Sequence, residues 1–336
     1  MKERQLAICD KDVQYLETLQ SYLLKKKPAG FEILVFSSVY QAVEASEETG
    51  FEILLVGEST YDAAIEKVNA RKIFILLENG LSGIREHSAI SKYQSMSALI
   101  GQVLDEFSLE EGAFGLVGGQ KGKARLISFF SPDRHCGQTA AAFCVSELLA
   151  DRGERVLYLN LSAFSGFEEL LQIKYDSDIT DFMYFVLKHS DKLLYKLEGI
   201  KRTLHGVDYL PPALDYADLR NIAEEDWKRV LDVLLCNGNY TQVVVDLTEV
   251  CQGFYHILDR SDRVYVVTDQ ASVRSRSAFN QYHSLLLAKQ YGRIIEKTRV
   301  VDFRSDWDAC SADLEGLPVS VIGAHMRSIL QEDEQE

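Results

Sequence analysis

The chain has 336 residues, 46% hydrophobic and 26% charged, with 36 Lys and Arg against 51 Asp and Glu for a net charge of −15. This balance excludes a disordered chain, and so acidic a surface repels phosphodiester backbones, so no nucleic acid partner is expected. No apolar run reaches the roughly 18 residues of a membrane-spanning helix, no signal peptide is read before the first strand-like segment, and six cysteines without metal-ligand spacing indicate a reduced, cytoplasmic protein.

In chain order, apolar runs predict strands over residues 5–9, 31–36, 51–57, 72–77 and 89–91. Val13, Leu16, Leu19 and Leu23 recur at helical spacing between the first two, and Lys25-Lys26-Lys27 suits the end of that helix. Near-continuous apolar strands alternating with helices indicate a parallel sheet buried on both faces, here five βα units in a small doubly wound domain. Residues 108–124 then crowd Gly112, Gly115, Gly118, Gly119 and Gly122, the composition of a flexible connection. Beyond it strands are expected over 125–130, 155–161, 207–210, 241–247, 263–268, 298–303 and 318–322, again alternating with helices. The domains read as 1–107, a linker over 108–124, a second α/β domain over 125–325, and an acidic tail over 326–336. The last six residues, 331–336, carry four acids and are expected to be solvated.

The first domain resembles the response-regulator receiver (CheY-like) fold. That resemblance implies an acidic pair after the first strand, an Asp phosphoacceptor ending the third, Thr or Ser ending the fourth and Lys ending the fifth. Asp10 fits the first position, with Lys11 in place of a second acid. Val56 falls at the acceptor, Glu78 near the Thr or Ser, and Lys92 at the Lys. A valine takes no phosphate, so a phosphorylation-incompetent interaction domain is expected. Asp10 reads equally as a helix N-cap and Lys92 as a surface lysine. Glu58, two residues past Val56, is expected to point elsewhere.

The second domain opens with strand, loop and helix, the context of a phosphate-binding loop: residues 125–130, then Ser131-Pro132-Asp133-Arg134-His135-Cys136-Gly137-Gln138-Thr139, then an apolar helix. Gly206-Val207-Asp208-Tyr209-Leu210-Pro211 and Gln242-Val243-Val244-Val245-Asp246 follow in order. These pieces resemble the ParA/MinD group of P-loop ATPases, whose loop reads G-K-G-G-x-G-K-T. Aligned on Gly137 and Thr139, Asp133 replaces the signature lysine and Gln138 the phosphate-bridging lysine. Pro132, Arg134 and His135 replace glycines, and Asn160 and Ser162 replace the carboxylates after the second strand. The resemblance implies nucleotide contacts at Arg134, His135, Cys136, Gly137, Gln138, Thr139 and Asp246, and a metal held by Thr139 and Asp246. ATP and Mg²⁺ are the implied cofactors. Phosphoryl transfer rests on positioning and charge, so with two lysines and two carboxylates altered, efficient hydrolysis is not expected. Taken singly, His135 reads as a surface imidazole, Cys136 lacks a base partner, and Asp246 equally caps a loop.

A degenerate receiver-like domain ahead of a ParA/MinD-like domain with an atypical loop resembles the TadZ/CpaE proteins of Tad (Flp) pilus systems. The resemblance implies a weakly active or non-catalytic scaffold or localisation protein, a homodimer, that meets pilus and secretion machinery at a membrane-associated site. Met326-Arg327-Ser328-Ile329-Leu330 followed by acids gives no device for direct membrane insertion. A slow ATP-switched dimerising ATPase is the alternative, and a receiver-like transcriptional regulator ranks last for want of a basic reading helix.

Overall fold

The computed structural model describes residues 5–26, 31–78, 87–108, 124–134, 137–188, 193–237, 239–302 and 314–334. Two compact units emerge: Met1–Gly118 with His189–Gly199, and Gly119–Lys188 with Ile200–Glu336. The glycine-rich stretch lies outside the described residues, apart from its ends at Ser108 and Ala124.

The first unit carries β1 (Gln5–Cys9), α1 (Val13–Lys26), β2 (Glu32–Phe36), α2 (Val39–Thr49), β3 (Phe51–Gly57), β4 (Ala70–Leu77), β5 (Ser88–Ser91) and α3 (Met96–Ser108). Its sheet runs β2-β1-β3-β4-β5, every pair parallel. This is one of the two common doubly wound orders, with its switch point between β1 and β3. Alternate strand residues serve opposite faces. Leu6, Ile8, Ile53 and Leu55 pack with Leu19 and Leu23 of α1 and Val103 and Leu104 of α3. Ala7, Cys9, Leu54 and Val56 pack with Val39 and Ala42 of α2. The expected five βα units are not all present. Between β3 and β4 the chain forms only two 3₁₀ turns, Glu58–Thr60 and Ala63–Lys67. That stretch is short, and Ile65 and Val68, with Tyr61 and Ala64 partly buried beside them, supply its core-facing groups.

The second unit carries β6 (Arg125–Phe130), α4 (Gly137–Asp151), β7 (Val156–Leu161), α5 (Phe167–Leu170) and α6 (Ile179–Lys188). After α7 (Leu193–Ile200), which groups with the first unit as far as Gly199, come β8 (Arg202–Leu204), β9 (Val207–Leu210), α8 (Tyr216–Asn221) and α9 (Glu224–Asn237). Then follow β10 (Gln242–Leu247), α10 (Phe254–Arg260), β11 (Arg263–Thr268), α11 (Val273–Ala288), α12 (Gly292–Lys297), β12 (Thr298–Asp302) and α13 (Val321–Asp333). The sheet order is β12-β11-β6-β10-β7-β9-β8. All pairs are parallel except β8 with β9, a hairpin the sequence reading lacks. Its two turn residues, His205 at φ +47° and Gly206 at φ +83°, take the positive dihedrals of a tight primed turn. The fold class expected from sequence, α/β with two doubly wound sheets, is the one adopted.

The helix α4 is buried on nearly all sides, from Gly137 to Leu149 with only Thr139 half-buried. It sits among Ile127, Phe129, Tyr158 and Val244 of the sheet and Ile322, Met326, Ile329 and Leu330 of α13. That partner corrects two expectations. Residues 318–322 are not a strand: a 3₁₀ turn over Leu317–Val319 leads into α13, whose Ser320 accepts from the Gly323 N–H as N-cap. Nor do the described residues from 326 to 334 form a tail separate from the fold. Helix α13 continues to Asp333, which takes hydrogen bonds from Arg299 (2.6 Å) and the Tyr265 hydroxyl and lies 3.3 Å from Arg263. Glu332 pairs with Arg299 and Glu334 with Arg152. Acids at a helix C-terminus oppose the dipole, and here cations from the sheet and from the turn after α4 compensate.

Candidate functional site

In the second unit, register brings the site together at the C-terminal ends of the strands. Asp246 lies opposite Phe129 on β6 and Asn160 on β7. Asp246, Tyr158 and Asn160 share the sheet face covered by α4, because residues two apart on a strand face the same way. The loop after β6 returns the chain so that Gly137 opens α4 directly over that face. Gln138 and Thr139 therefore stand over Asp246.

Asp246 is fully buried and accepts from four donors. The Gln138 amide nitrogen donates to Oδ1. The Thr139 hydroxyl donates to Oδ2 at 2.6 Å, the Tyr158 hydroxyl at 3.0 Å and the Asn160 amide at 3.2 Å. Gln138 Nε2 also meets the carbonyls of Leu247 at 3.0 Å and Phe129 at 3.4 Å. The residue expected to reach a phosphate is thus directed into the protein. Burial pushes the Asp246 carboxyl above its ordinary value, and the donors around it offset only part of that rise. Tyr158 is pushed well up by burial and by the Asp246 charge. Asn160 Oδ1 accepts from the Ser162 N–H at 2.9 Å, fixing the amide with its donor end toward Asp246.

The rest of the loop is also internally paired. Asp133 accepts from Ser131 at 2.7 Å and from Ser275 of α11. Arg134 sits at φ +56° and gives both Nε, at 2.8 Å, and a terminal nitrogen to Glu249. Of the expected nucleotide residues, Gly137, Gln138, Thr139 and Asp246 come together. Arg134 turns to Glu249, and His135 and Cys136 lie outside the described residues. Tyr158, Glu249 and Ser275 belong to the network and were missed. Tyr158 carried a readable signal, standing two residues before Asn160 on the same strand face.

In the arrangement adopted, the Asp246 oxygens are taken up by protein donors. A carboxylate offers about four lone-pair sites, and Asp246 already has four donors on them. Mg²⁺ needs open oxygen ligands in octahedral array. Gln138 is turned inward, Asp133 presents negative charge, and among the described loop residues the cation, Arg134, is paired with Glu249. Among the described residues no cluster of three metal-ligating side chains occurs.

The first unit shows a comparable arrangement. Asp10 and Lys92 are both buried, their side chains 2.8 Å apart, and Lys92 Nζ lies 3.2 Å from Glu78. Lys92 is therefore not a surface lysine. Burial pushes its pKa down, but Asp10 and Glu78 outweigh this and hold it above the ordinary value. Asp10 accepts from the Asp12 N–H at 2.9 Å but is not the N-cap of α1: Asp12 is, its carboxylate accepting from the Tyr15 N–H at 3.0 Å. Val56 is not the residue at the acceptor position. Its side chain is in the core with Cys9 and Val39, and the position aimed at Asp10 is Gly57. A Cβ there would lie 2.7 Å from the Asp10 carboxyl carbon. The acceptor position thus has no side chain and no room for one. Glu58 is held in the same neighbourhood, accepting from the Glu78 N–H at 2.8 Å, rather than pointing away.

No protein-family model matches the chain, and no curated protein does. Solved structures similar to it include a ParA family ATPase from Chlorobium tepidum, at 18% identity over 57% of this chain and 80% of that one, with a TM-score of 0.45. The MinC:MinD cell division complex of Aquifex aeolicus is similar at 19% identity over 61% and 78%, with a TM-score of 0.39. Cobyrinic acid a,c-diamide synthase from Mycobacterium smegmatis, bound to an ATP analog and magnesium, is similar at 18% identity over 53% and 70%, again at 0.39. No helix among the described residues is long and apolar enough to cross a membrane.

Proposed function

We propose that this chain is a non-catalytic scaffold or localisation protein that keeps the shape of a nucleotide switch and has closed its site from within. One observation carries this reading. The buried Asp246 is satisfied by Gln138, Thr139, Tyr158 and Asn160, and of these Gln138, Thr139 and Asn160 stand at positions that the resemblance assigns to phosphate and metal. Catalysis of phosphoryl transfer depends on preorganised positive charge, and losing even one such donor costs on the order of 3 kcal/mol. Here the bridging cation is absent and its position is spent on an internal bond.

The finer reading is a TadZ/CpaE-like component of Tad (Flp) pilus assembly, acting as a homodimer with secretion-machinery partners. It is supported by the order of the chain, a receiver-like unit without an acceptor ahead of a unit with an atypical phosphate loop over 131–139. An ATP-switched dimer is the competing reading. It would require Gln138 and Thr139 to release Asp246 on binding, leaving a buried carboxylate to find other partners.

The test is turnover by the pure full-length protein with Mg²⁺ and ATP. Release of phosphate below about one per minute, unchanged by Thr139→Ala, is expected. Faster release that Thr139→Ala abolishes would sink the scaffold reading.

A further inference from the structure

Beside the loop that holds Pro132 and Arg134, the second unit carries a groove of about 530 Å³ between α10 and α11. Phe130, Phe254, Tyr255, Tyr282 and Leu285 supply its apolar lining, and Glu249, Gln252 and Gln281 its polar lining. The aromatic walls are locked by contact with one another. Phe130 packs at 4.8 Å on Phe254 and 5.2 Å on Tyr282, and Tyr255 stacks on Tyr291 at 5.0 Å. The groove is therefore a formed surface feature.

The helix α11 presents Ala278, Gln281, Tyr282 and Leu285 to it. Arg274 lies one turn before Ala278 and Lys289 one turn after Leu285, so both sit at the ends of the same helical stripe. Fifteen residues at 1.5 Å separate these cations by about 22 Å along the helix axis. Lys289 reaches the groove wall, its ammonium 4.5 Å from the centre of the Tyr255 ring.

The charge around this stripe is opposite to that of the protein. Between Asp269 and Glu296 the chain carries Arg274, Arg276, Lys289 and Arg293 and no acid, although the whole chain has net charge −15. Arg276 donates to the Gln270 carbonyl and Arg293 lies 3.7 Å from Asp259. Neither Arg274 nor Lys289 has a carboxylate partner among the described residues. Glu249, the acid at the groove, is held by Arg134.

We propose that this groove docks an amphipathic helix of another protein, with apolar side chains in its centre and acids toward both ends. A recessed concave stripe suits inserted side chains, the geometry of helix-in-groove recognition. A bilayer surface takes the opposite shape, an outward apolar face lying flat. Acids at the partner's ends would meet Arg274 and Lys289, giving register and orientation more than raw affinity. The inference names a partner class for the scaffold reading but does not depend on whether nucleotide binds.

The probe is a fluorescein-labelled synthetic helix of about 16 residues, Leu and Ala along one stripe with Glu at both ends. Its counterpart has Lys in place of every Glu. Fluorescence anisotropy with the full-length protein, without nucleotide, should give saturable binding of the Glu peptide at least about tenfold tighter than the Lys peptide. The exposed double variant Arg274→Glu with Lys289→Glu should weaken the Glu peptide about tenfold, and Ala278→Trp, which fills the groove, should abolish binding. Absence of saturable binding, indifference to the peptide's charge, or indifference to the double variant overturns the proposal. So does cosedimentation with phosphatidylglycerol vesicles in place of peptide binding. ATP turnover is measured separately, so failure here and failure of the scaffold reading remain distinct.

Discussion

The two units hold a buried aspartate at comparable places, at the C-terminal end of a central parallel strand, and neutralise it differently. Asp10 in the first unit faces the ammonium of Lys92, an ion pair of 2.8 Å with both groups buried. Asp246 in the second faces four neutral donors and no cation. A cation partner keeps a buried carboxylate ionised, whereas neutral donors only reduce the cost of its charge. The difference shows in the chemistry that remains. In the first, Gly57 places no side chain against Asp10, and a Cβ there would meet its carboxylate. In the second, strand, loop and helix enclose an aspartate bonded by neutral donors.

The largest expected effect separates the two arrangements through stability. Asp246→Ala removes the acceptor of four buried or half-buried donors at once and should cost about 4 kcal/mol in chemical denaturation, because unsatisfied buried donors carry their full desolvation penalty. A loss below about 1 kcal/mol would mean that the donors re-pair easily and that the network is not closed. Lys92→Met in the first unit leaves Asp10 buried beside Glu78 without a cation and should cost about 3 kcal/mol. If Lys92→Met proved neutral, the ion pair would not be the element that holds Asp10.

The smallest effect concerns pH and sharpens the contrast. Burial raises the Asp246 pKa above its ordinary value, so the folded chain binds that proton more tightly than the unfolded chain does. The stability from protonation is then fully present below the unfolded value, near 3.8, and is lost as pH rises through the folded pKa. Asp246→Asn lacks this linkage. The stability of the natural chain relative to the Asn variant should therefore fall as pH is raised from acid toward neutral. Denaturation midpoints of the two proteins across that range measure it, and a rising difference would show that the donors, not burial, dominate at Asp246.

Much of the fold was legible because parallel strands buried on both faces announce themselves as short apolar runs. The expected runs at 5–9, 51–57, 125–130, 207–210 and 263–268 coincide with β1, β3, β6, β9 and β11. The failure at 318–322 has a local cause. Val319, Val321 and Ile322 look strand-like, but Ser320 is a helix cap, and Ile322, Met326, Ile329 and Leu330 form the helical stripe that covers α4. The hairpin strand β8 is three residues long with only Leu204 half-buried, too short for periodicity to register. At the site, the loop substitutions were visible in sequence, but where Gln138 points was not. Its inward turn depends on the Leu247 and Phe129 carbonyls, placed by strands more than a hundred residues apart. The acceptor position slipped by one residue, from Gly57 to Val56, and in a strand one residue reverses the face.

The central claim is that the loop over Gly137, Gln138 and Thr139 is closed by Asp246 and its neighbours. Isothermal titration of the full-length protein with Mg²⁺ and ATP, at ligand concentrations into the millimolar range, tests it most directly. The closed network predicts no saturable heat and no difference between the natural chain and Thr139→Ala. A saturable heat that requires Mg²⁺ and disappears in Thr139→Ala would contradict it.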